Sequence, residues 1–385
     1  MILSGSHRYT NMIDIDAFRE INHIIEHDAT SSTYKYALLK ATIDAVQKYE
    51  HLITIDRSSV SIPLGLIVDA WIVDYMPFVF ANVKQQHSGL VFDKEIEAHY
   101  RNIFQILGLQ RCDNWHYAYT LFVKSYKESI VLNTDLANEF FKLSKKIARK
   151  IVTMPMKYTG KSAYSVFQPA ILRFGHIKKD ILPSRDTGSY INLYGTFDIS
   201  LEHYYIFRYL GHSLYGTSTI QSKWINKTLS LNQESYQKND IEMMVGKVFD
   251  QRDTTTAREL LHEAKECVWS GEHLTGSSMD IDHLLPYSIW FNNDLWNLLP
   301  AKRAINQYKR DKIPSSSLIR KRAKIIKYYW QVYETKKKQL FRSQLSLSLG
   351  AGFNHDTIDY DRAIDSLCAK SDYLIYDRGI AVFEL

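Results

Sequence analysis

Cysteine is scarce in this 385-residue chain: Cys112, Cys267 and Cys368 are far apart and odd in number. They cannot make a disulfide framework or a four-cysteine zinc site, and they point to a reducing, cytoplasmic location. Long apolar runs are also lacking. The longest, Trp71 to Val83, is broken by Asp74 and Pro77, whereas a membrane-spanning helix needs about 20 apolar residues. The first residues, MILSGSHRYTNMIDID, lack a basic segment followed by an apolar one, so no secretory signal is read and no membrane insertion is expected. Glycine (16) and proline (8) are few, which predicts mostly regular structure. There is no internal repeat, no low-complexity tract and no G-x-x-x-x-G-K-S/T phosphate loop. Any ATP-driven step would fall to a partner.

What is present is enough apolar side chain, 45% of the residues, to build real cores. The length suggests two to three structural units. The net charge of +6 hides an asymmetry. Lys302 to Arg342 holds 14 Lys or Arg against two acids, Asp311 and Glu334, while the rest of the chain has 34 basic and 40 acidic residues. A segment at +12 on an otherwise acidic chain suggests a polyanion contact or a solvated helix face.

Residues 11–150 read as helical. Ser31, Ser32 and Thr33 are placed to cap a helix whose apolar positions Tyr36, Leu39, Ile43 and Val46 recur at three or four. Leu64–Phe80, Glu95–Leu107 and Leu136–Ile151 follow a similar pattern. From 152 to 220, short runs rich in β-branched and aromatic residues (Val166–Phe174, Tyr190–Tyr194, Phe197–Leu201) are punctuated by Gly175, Gly188, Gly195 and Gly211, which reads as strands and turns. His176, His203 and His212 have no acidic company in motif spacing and read as structural. Helical pattern returns near Glu234 and stops near Cys267. The organisation expected is a helical domain over 1–151, a mixed region over 152–254, a functional domain over 255–315, and a basic helix and tail over 316–385.

The chemistry lies in residues 266–314. Cys267–Trp269 and Met279–His283 read as short strands joined by turn-rich Gly271–Ser278. Pro286–Asn297 reads as a long loop and Ala301–Lys309 as a helix. Asp282 and His283 close the second strand, and Asn306 follows 23 residues later. Asp282 and Asn306 are hard oxygen donors suited to Mg²⁺ or Mn²⁺. The pKa of histidine suits His283 to take a proton from water near neutrality. Adjacent strand residues point to opposite faces, so a kink is needed to bring Asp282 and His283 together. Lys309, one turn beyond Asn306, is placed to reach a phosphate. Metal, base and phosphate contact together suit phosphodiester hydrolysis.

The pattern D-x-D-H-x-x-P-x-S, then N-L, then N-x-x-K-x-D resembles the HNH (ββα-metal) endonuclease family, and in motif it is close to the HNH domain of RNA-guided CRISPR nucleases. The RuvC-like and arginine-rich parts of such effectors are missing, so guide RNA is not implied. The resemblance makes Asp282 and Asn306 metal ligands, His283 the general base, and Asn297 the residue that holds the loop and orients the base. In many relatives C-x-x-C pairs bind a structural zinc. Here Ser270, Lys302 and Ile305 stand in such places, so no structural zinc is expected and Trp269, Trp290 and Trp296 would substitute by packing. The segment Ser32–Lys40 also resembles the opening of larger bacterial HNH proteins of restriction and phage defence.

Asp280 could approach the metal but reads rather as a solvated strand residue, and His262 with Glu266, at i,i+4 spacing, as an exposed pair rather than a metal pair. After Pro314, Ser315 to Ser317 are placed to cap a long helix through about Leu340, which carries an apolar stripe (Ile319, Ala323, Ile326, Trp330, Tyr333) with basic residues largely off it. Arg310, Lys312, Arg320, Lys321, Arg322 and Lys324, with Lys309, are the candidate DNA contacts. The expectation is an α+β, mostly helical chain: a large helical and partly β N-terminal region, then a ββα-metal nuclease domain. The function expected is a metal-dependent DNA endonuclease, nicking, in bacterial defence, with DNA and proteins of a defence system as partners. A homodimeric restriction enzyme, a non-catalytic DNA-binding or scaffold subunit, and an RNase toxin stay as alternatives.

Overall fold

A computed structural model describes residues 13–28, 31–112, 114–128, 134–170, 189–215, 219–232, 235–246, 252–275, 278–351 and 357–385. Contacts divide the chain into two compact units, Met1–Arg185 with Ser189–Phe249, and Asp186–Gly188 with Asp250–Leu385. The architecture is α+β and mostly helical.

In the first unit the order is α1 (Ile15–His27), α2 (Tyr34–Lys48), β1 (Thr54–Ile55), β2 (Ser59–Pro63), α3 (Leu64–Phe80), α4 (Lys94–Ile106), α5 (Trp115–Glu128), α6 (Thr134–Ile151), β3 (Gln168–Pro169), α7 (Ser189–Asn192), β4 (Thr196–Ser200), α8 (Leu201–Tyr205), α9 (Gly211–Tyr215), α10 (Ile220–Asn232) and α11 (Lys238–Gly246). The four strands form one antiparallel sheet, β1-β2-β4-β3. Helix α2 is buried almost all round, so its charges need partners. Lys40 meets Asp74 at 3.0 Å and Asp44 at 3.1 Å. Lys35 Nζ donates to the carbonyls of Ile24 and Asp28 at the end of α1. The Trp71–Phe80 cluster is core, with Tyr34, Trp71, Tyr75 and Phe92 in mutual ring contact.

Several local expectations are corrected here. Thr33 stands at the N-cap of α2 without capping it, because its hydroxyl donates to Gln85 instead. Strands β1 and β2 interrupt the stretch read as helical. Tyr190–Tyr194, read as a strand, holds the short helix α7. Gly65 on α3 leaves room for the Ile191 backbone, which a Cβ there would strike. Of the run Val166–Phe174, Gln168–Pro169 is strand; residues 171–174, Gly175, His176, Gly188 and Glu234 lie outside the described residues. His203 is buried, 3.3 Å from Glu20.

The second unit runs α12 (Thr255–Leu260), β5 (Met279–His283), α13 (Tyr287–Trp290), β6 (Leu298–Lys302), α14 (Arg303–Lys309), β7 (Ile313–Pro314), α15 (Ser316–Lys336), α16 (Lys338–Leu349), α17 (Tyr360–Asp372) and β8 (Val382–Phe383). Strands β5 and β6 pair antiparallel, with Asp282 opposite Leu299 and His283 opposite Leu298. The partner of β5 is therefore β6 and not Cys267–Trp269. Pro300 disguised β6 in the sequence. A two-stranded sheet tolerates it because each strand is an edge, and the Pro300 carbonyl still accepts the Val268 N–H at 2.9 Å. Helix α14 consequently starts at Arg303, two residues later than expected.

Ser315 caps α15 through the Leu318 N–H. The helix stops at Lys336, before a break at Lys337, and α16 continues from there. Ile319, Ile326, Trp330 and Tyr333 of α15 share one core with Trp269, Ile281, Trp296 and Leu299. Trp330 Nε1 and Tyr333 Oη donate to the carbonyls of Trp296 and Leu298, at 2.9 and 2.7 Å. The long helix thus braces the strand on which the hairpin closes.

Candidate functional site

Alternation along β5 sorts its side chains into two sets. Asp280 and Asp282 face α14, and His283 faces the loop that follows. On α14, Arg303, Asn306 and Lys309 recur every three residues and so share one face. Asp280 lies 3.4 Å from Arg303 Nε and accepts from Asn306 Nδ2 at 3.5 Å. Asp282 is buried; it accepts from Trp269 Nε1 at 2.6 Å, and Lys309 Nζ lies 3.2 and 3.3 Å from its two oxygens.

Lys309 is the clearest departure from the sequence reading. Its side chain is fully buried, so it presents no charge to a phosphate at the surface. Its ammonium also donates to the His283 carbonyl at 2.6 Å and lies 5.7 Å from the Trp269 ring centre. Burial pushes its pKa below the ordinary lysine value, against the opposing pull of Asp282.

His283 is 2% exposed. Burial pushes its pKa down to about 4, and the nearby charges of Arg252 and Lys309 add to the effect. Its Nε2 lies 3.0 Å from Asn293 Oδ1. Asn297 was expected to orient this ring, but its own side chain is used otherwise. Oδ1 accepts from the Leu285 N–H at 2.8 Å, and Nδ2 donates to the carbonyls of Leu285 and Asn292 at 3.1 and 3.0 Å. Asn297 therefore ties both ends of the loop while Asn293 meets the histidine. No hydrogen bond joins the side chains of Asp282 and His283, or of Asp282 and Asn306.

Asp280, read as a solvated strand residue, is half-buried against Arg303 and Asn306, and sequence reasoning missed Trp269, Asn293 and Arg252. Asp280 had a signal, since it shares parity with Asp282 on the strand. The others had none, because an indole or amide reaching a site from a loop leaves no periodic trace.

The basic residues divide. Arg320 pairs with Asp365 at 2.8 Å, Lys321 Nζ donates to the Leu385 carbonyl at 3.4 Å, and Arg322 packs over Gly271. Arg320 and Lys321 are exposed and Arg322 is half-buried, and each already has a neighbour within the chain. Arg310 and Lys324 are exposed, and Lys312 Nζ lies 4.1 Å above the Tyr308 ring.

Among the described residues no three His, Cys, Asp or Glu side chains gather to hold a metal ion. Asp280, Asp282 and Asn306 lie along one strand face and the helix that covers it, all with oxygen donors and no thiol. That donor chemistry fits a hard divalent cation. The Lys309 ammonium already places a positive charge beside Asp282.

A family described as a domain of unknown function (DUF8808) matches residues 14–245, more than half of the chain. The chain belongs to the DUF8808 family. The match covers most of the first unit. A second family, described as HNH endonuclease, matches residues 267–315, the span that holds β5, β6 and α14. The DUF8808 chain thus carries an HNH endonuclease domain in its second unit. No curated protein and no solved structure matches the chain. No helix among the described residues is long and apolar enough to cross a membrane.

Proposed function

We propose that this protein is a metal-dependent DNA endonuclease in which His283 is the general base. The observation that carries the reading is His283 itself. It is a buried imidazole held neutral by its surroundings, at the end of a hairpin whose covering helix brings Asn306.

With Nε2–H given to Asn293 Oδ1, the Nδ1 lone pair is the one that takes a proton from the attacking water. Asp282 and Asn306 would hold Mg²⁺ or Mn²⁺, with Asp280 beside them. That ion, when bound, neutralises charge developing on the scissile phosphate and the leaving oxygen. Asn297 keeps the loop closed so that Asn293 stays against the base. Lys309 fixes Asp282 and the His283 carbonyl from inside and does not touch DNA. Arg310, Lys312 and Lys324 contact the DNA backbone. The DUF8808 region would supply target recognition, autoinhibition or docking to a partner, in bacterial defence against phage or foreign DNA. The chain is cytoplasmic and uses no structural zinc.

One Asp282–His283–Asn306 set per chain means one phosphodiester bond cut per engagement. Supercoiled plasmid with Mg²⁺ is expected to give open circles first and linear DNA late, with EDTA stopping both. Linear product without an open-circle precursor, from a protein of dimeric mass, would replace nicking with paired cleavage. No cleavage under any divalent cation would refute the enzyme.

A further inference from the structure

Phe291 is exposed and strained at once. It is 60% exposed, and its φ is +49°, a left-handed conformation that non-glycine residues avoid at a cost. The left-handed conformation ends α13, but the cap is made by the backbone alone, and it leaves the large apolar ring in solvent where burial does not stabilise it. The residue is also fixed. Its N–H donates to the Tyr287 carbonyl at 2.9 Å, and Asn297 Nδ2 holds the next carbonyl, that of Asn292. Its ring is the outer end of a row that begins at the proposed base: His283 to Tyr287 at 5.5 Å between ring centres, and Tyr287 to Phe291 at 5.8 Å. The exposed Arg252, whose guanidinium donates to the Ile281 carbonyl at 3.2 Å, adds positive charge near the same strand end.

We propose that Phe291 is a stacking platform for an unpaired nucleobase next to the cleaved phosphate, so that the preferred DNA substrate is single-stranded or locally opened there. This rests on the nuclease reading. Every base has an apolar face, so a rigid exposed ring takes it without regard to sequence. Two ring contacts from His283 put that base within about three nucleotides of the cut, at ~3.4 Å each when stacked. A paired base keeps its faces covered by its neighbours, so duplex DNA does not use the platform.

The test uses the full chain carrying His283→Ala, which is expected to bind without cutting, with Phe291 intact or changed to Gly or Tyr. The probes are a single-stranded oligonucleotide with 2-aminopurine placed at successive positions, and the same sequence as a perfect duplex. Phe291→Gly is expected to weaken single-strand binding about tenfold or more and to abolish 2-aminopurine quenching at one position. Duplex affinity should stay within about twofold. Phe291→Tyr is expected to keep both. Glycine accepts this φ without strain, so Phe291→Gly should melt no lower than its parent. Unchanged single-strand affinity in Phe291→Gly, or an equal loss on the duplex, overturns this proposal while plasmid cleavage by the unmodified chain still stands. A chain that neither binds nor cuts DNA overturns this proposal and the nuclease reading together.

Discussion

Replacing Asp282 with Ala is the obvious way to test a metal ligand, and the structure predicts that it confuses two effects. Asp282 neutralises Lys309 in a dry setting: the lysine side chain is 0% exposed and the aspartate 5%. Removing one partner of a buried pair leaves the other charged and unpaired, which costs about 3–5 kcal/mol. The loss of the Trp269 Nε1 bond adds to this, at roughly 1–3 kcal/mol for a buried donor left unsatisfied. Asp282→Ala is therefore expected to loosen the hairpin and α14 as well as to remove a donor. Lys309→Met should also destabilise, by leaving the carboxylate buried. The double variant should be more stable than the sum of the two losses predicts, because neither charge is then stranded. A coupling of about 2–3 kcal/mol is expected for residues in such contact. Hydrogen exchange read on peptides spanning 279–309 in the full chain measures it locally, which avoids treating two units as one transition. Additive losses would refute the clamp. Asp282→Asn keeps the shape and the indole partner but strands the Lys309 charge just as Asp282→Ala does, so Asn306→Ala, which breaks only a 3.5 Å bond to Asp280, is the cleaner probe of metal affinity.

Asn297→Ala should free the loop at both ends. Exchange at the Leu285 N–H should rise, and cleavage should fall more than DNA binding. Acid should weaken the hairpin through His283. An unfolded histidine takes its proton near pH 6.5, whereas the folded one resists until about 4, so stability is full above about 6.5. It falls as pH drops toward 4, by on the order of 3 kcal/mol in all; His283→Gln should flatten that slope in acid denaturation. Neutralising Arg310, Lys312 and Lys324 should lower the slope of log K against log salt by up to about 0.9 per phosphate contact, with little change from Arg320→Gln, which only breaks an exposed ion pair. Elemental analysis of the purified chain should find no stoichiometric zinc.

What could be read from the sequence followed from period and from spacing. The helices α2, α3, α4 and α6 announced themselves by apolar residues three and four apart, and the cap at Ser315 by its place after Pro314. Strand β6 hid because Pro300 argues against a strand wherever both edges are paired, and only tertiary structure shows that this one is not. Lys309 misled for a related reason. Its place one turn beyond Asn306 is the same whether the ammonium turns outward to phosphate or inward to Asp282, and burial alone decides. The basic count of residues 302–342 could not reveal that Asp361 and Asp365, far along the chain, meet Lys327 and Arg320. Asn293 and Trp269 were illegible because a loop carries no repeat from which a direction can be inferred.

The central claim is that His283 takes the proton. Single-turnover cleavage of plasmid by the unmodified chain and by His283→Ala, at saturating protein and with DNA affinity measured alongside, tests it most directly. The account predicts a rate lower by about 10²–10⁴, with affinity and melting behaviour nearly unchanged. Cleavage by His283→Ala at the unmodified rate would contradict it.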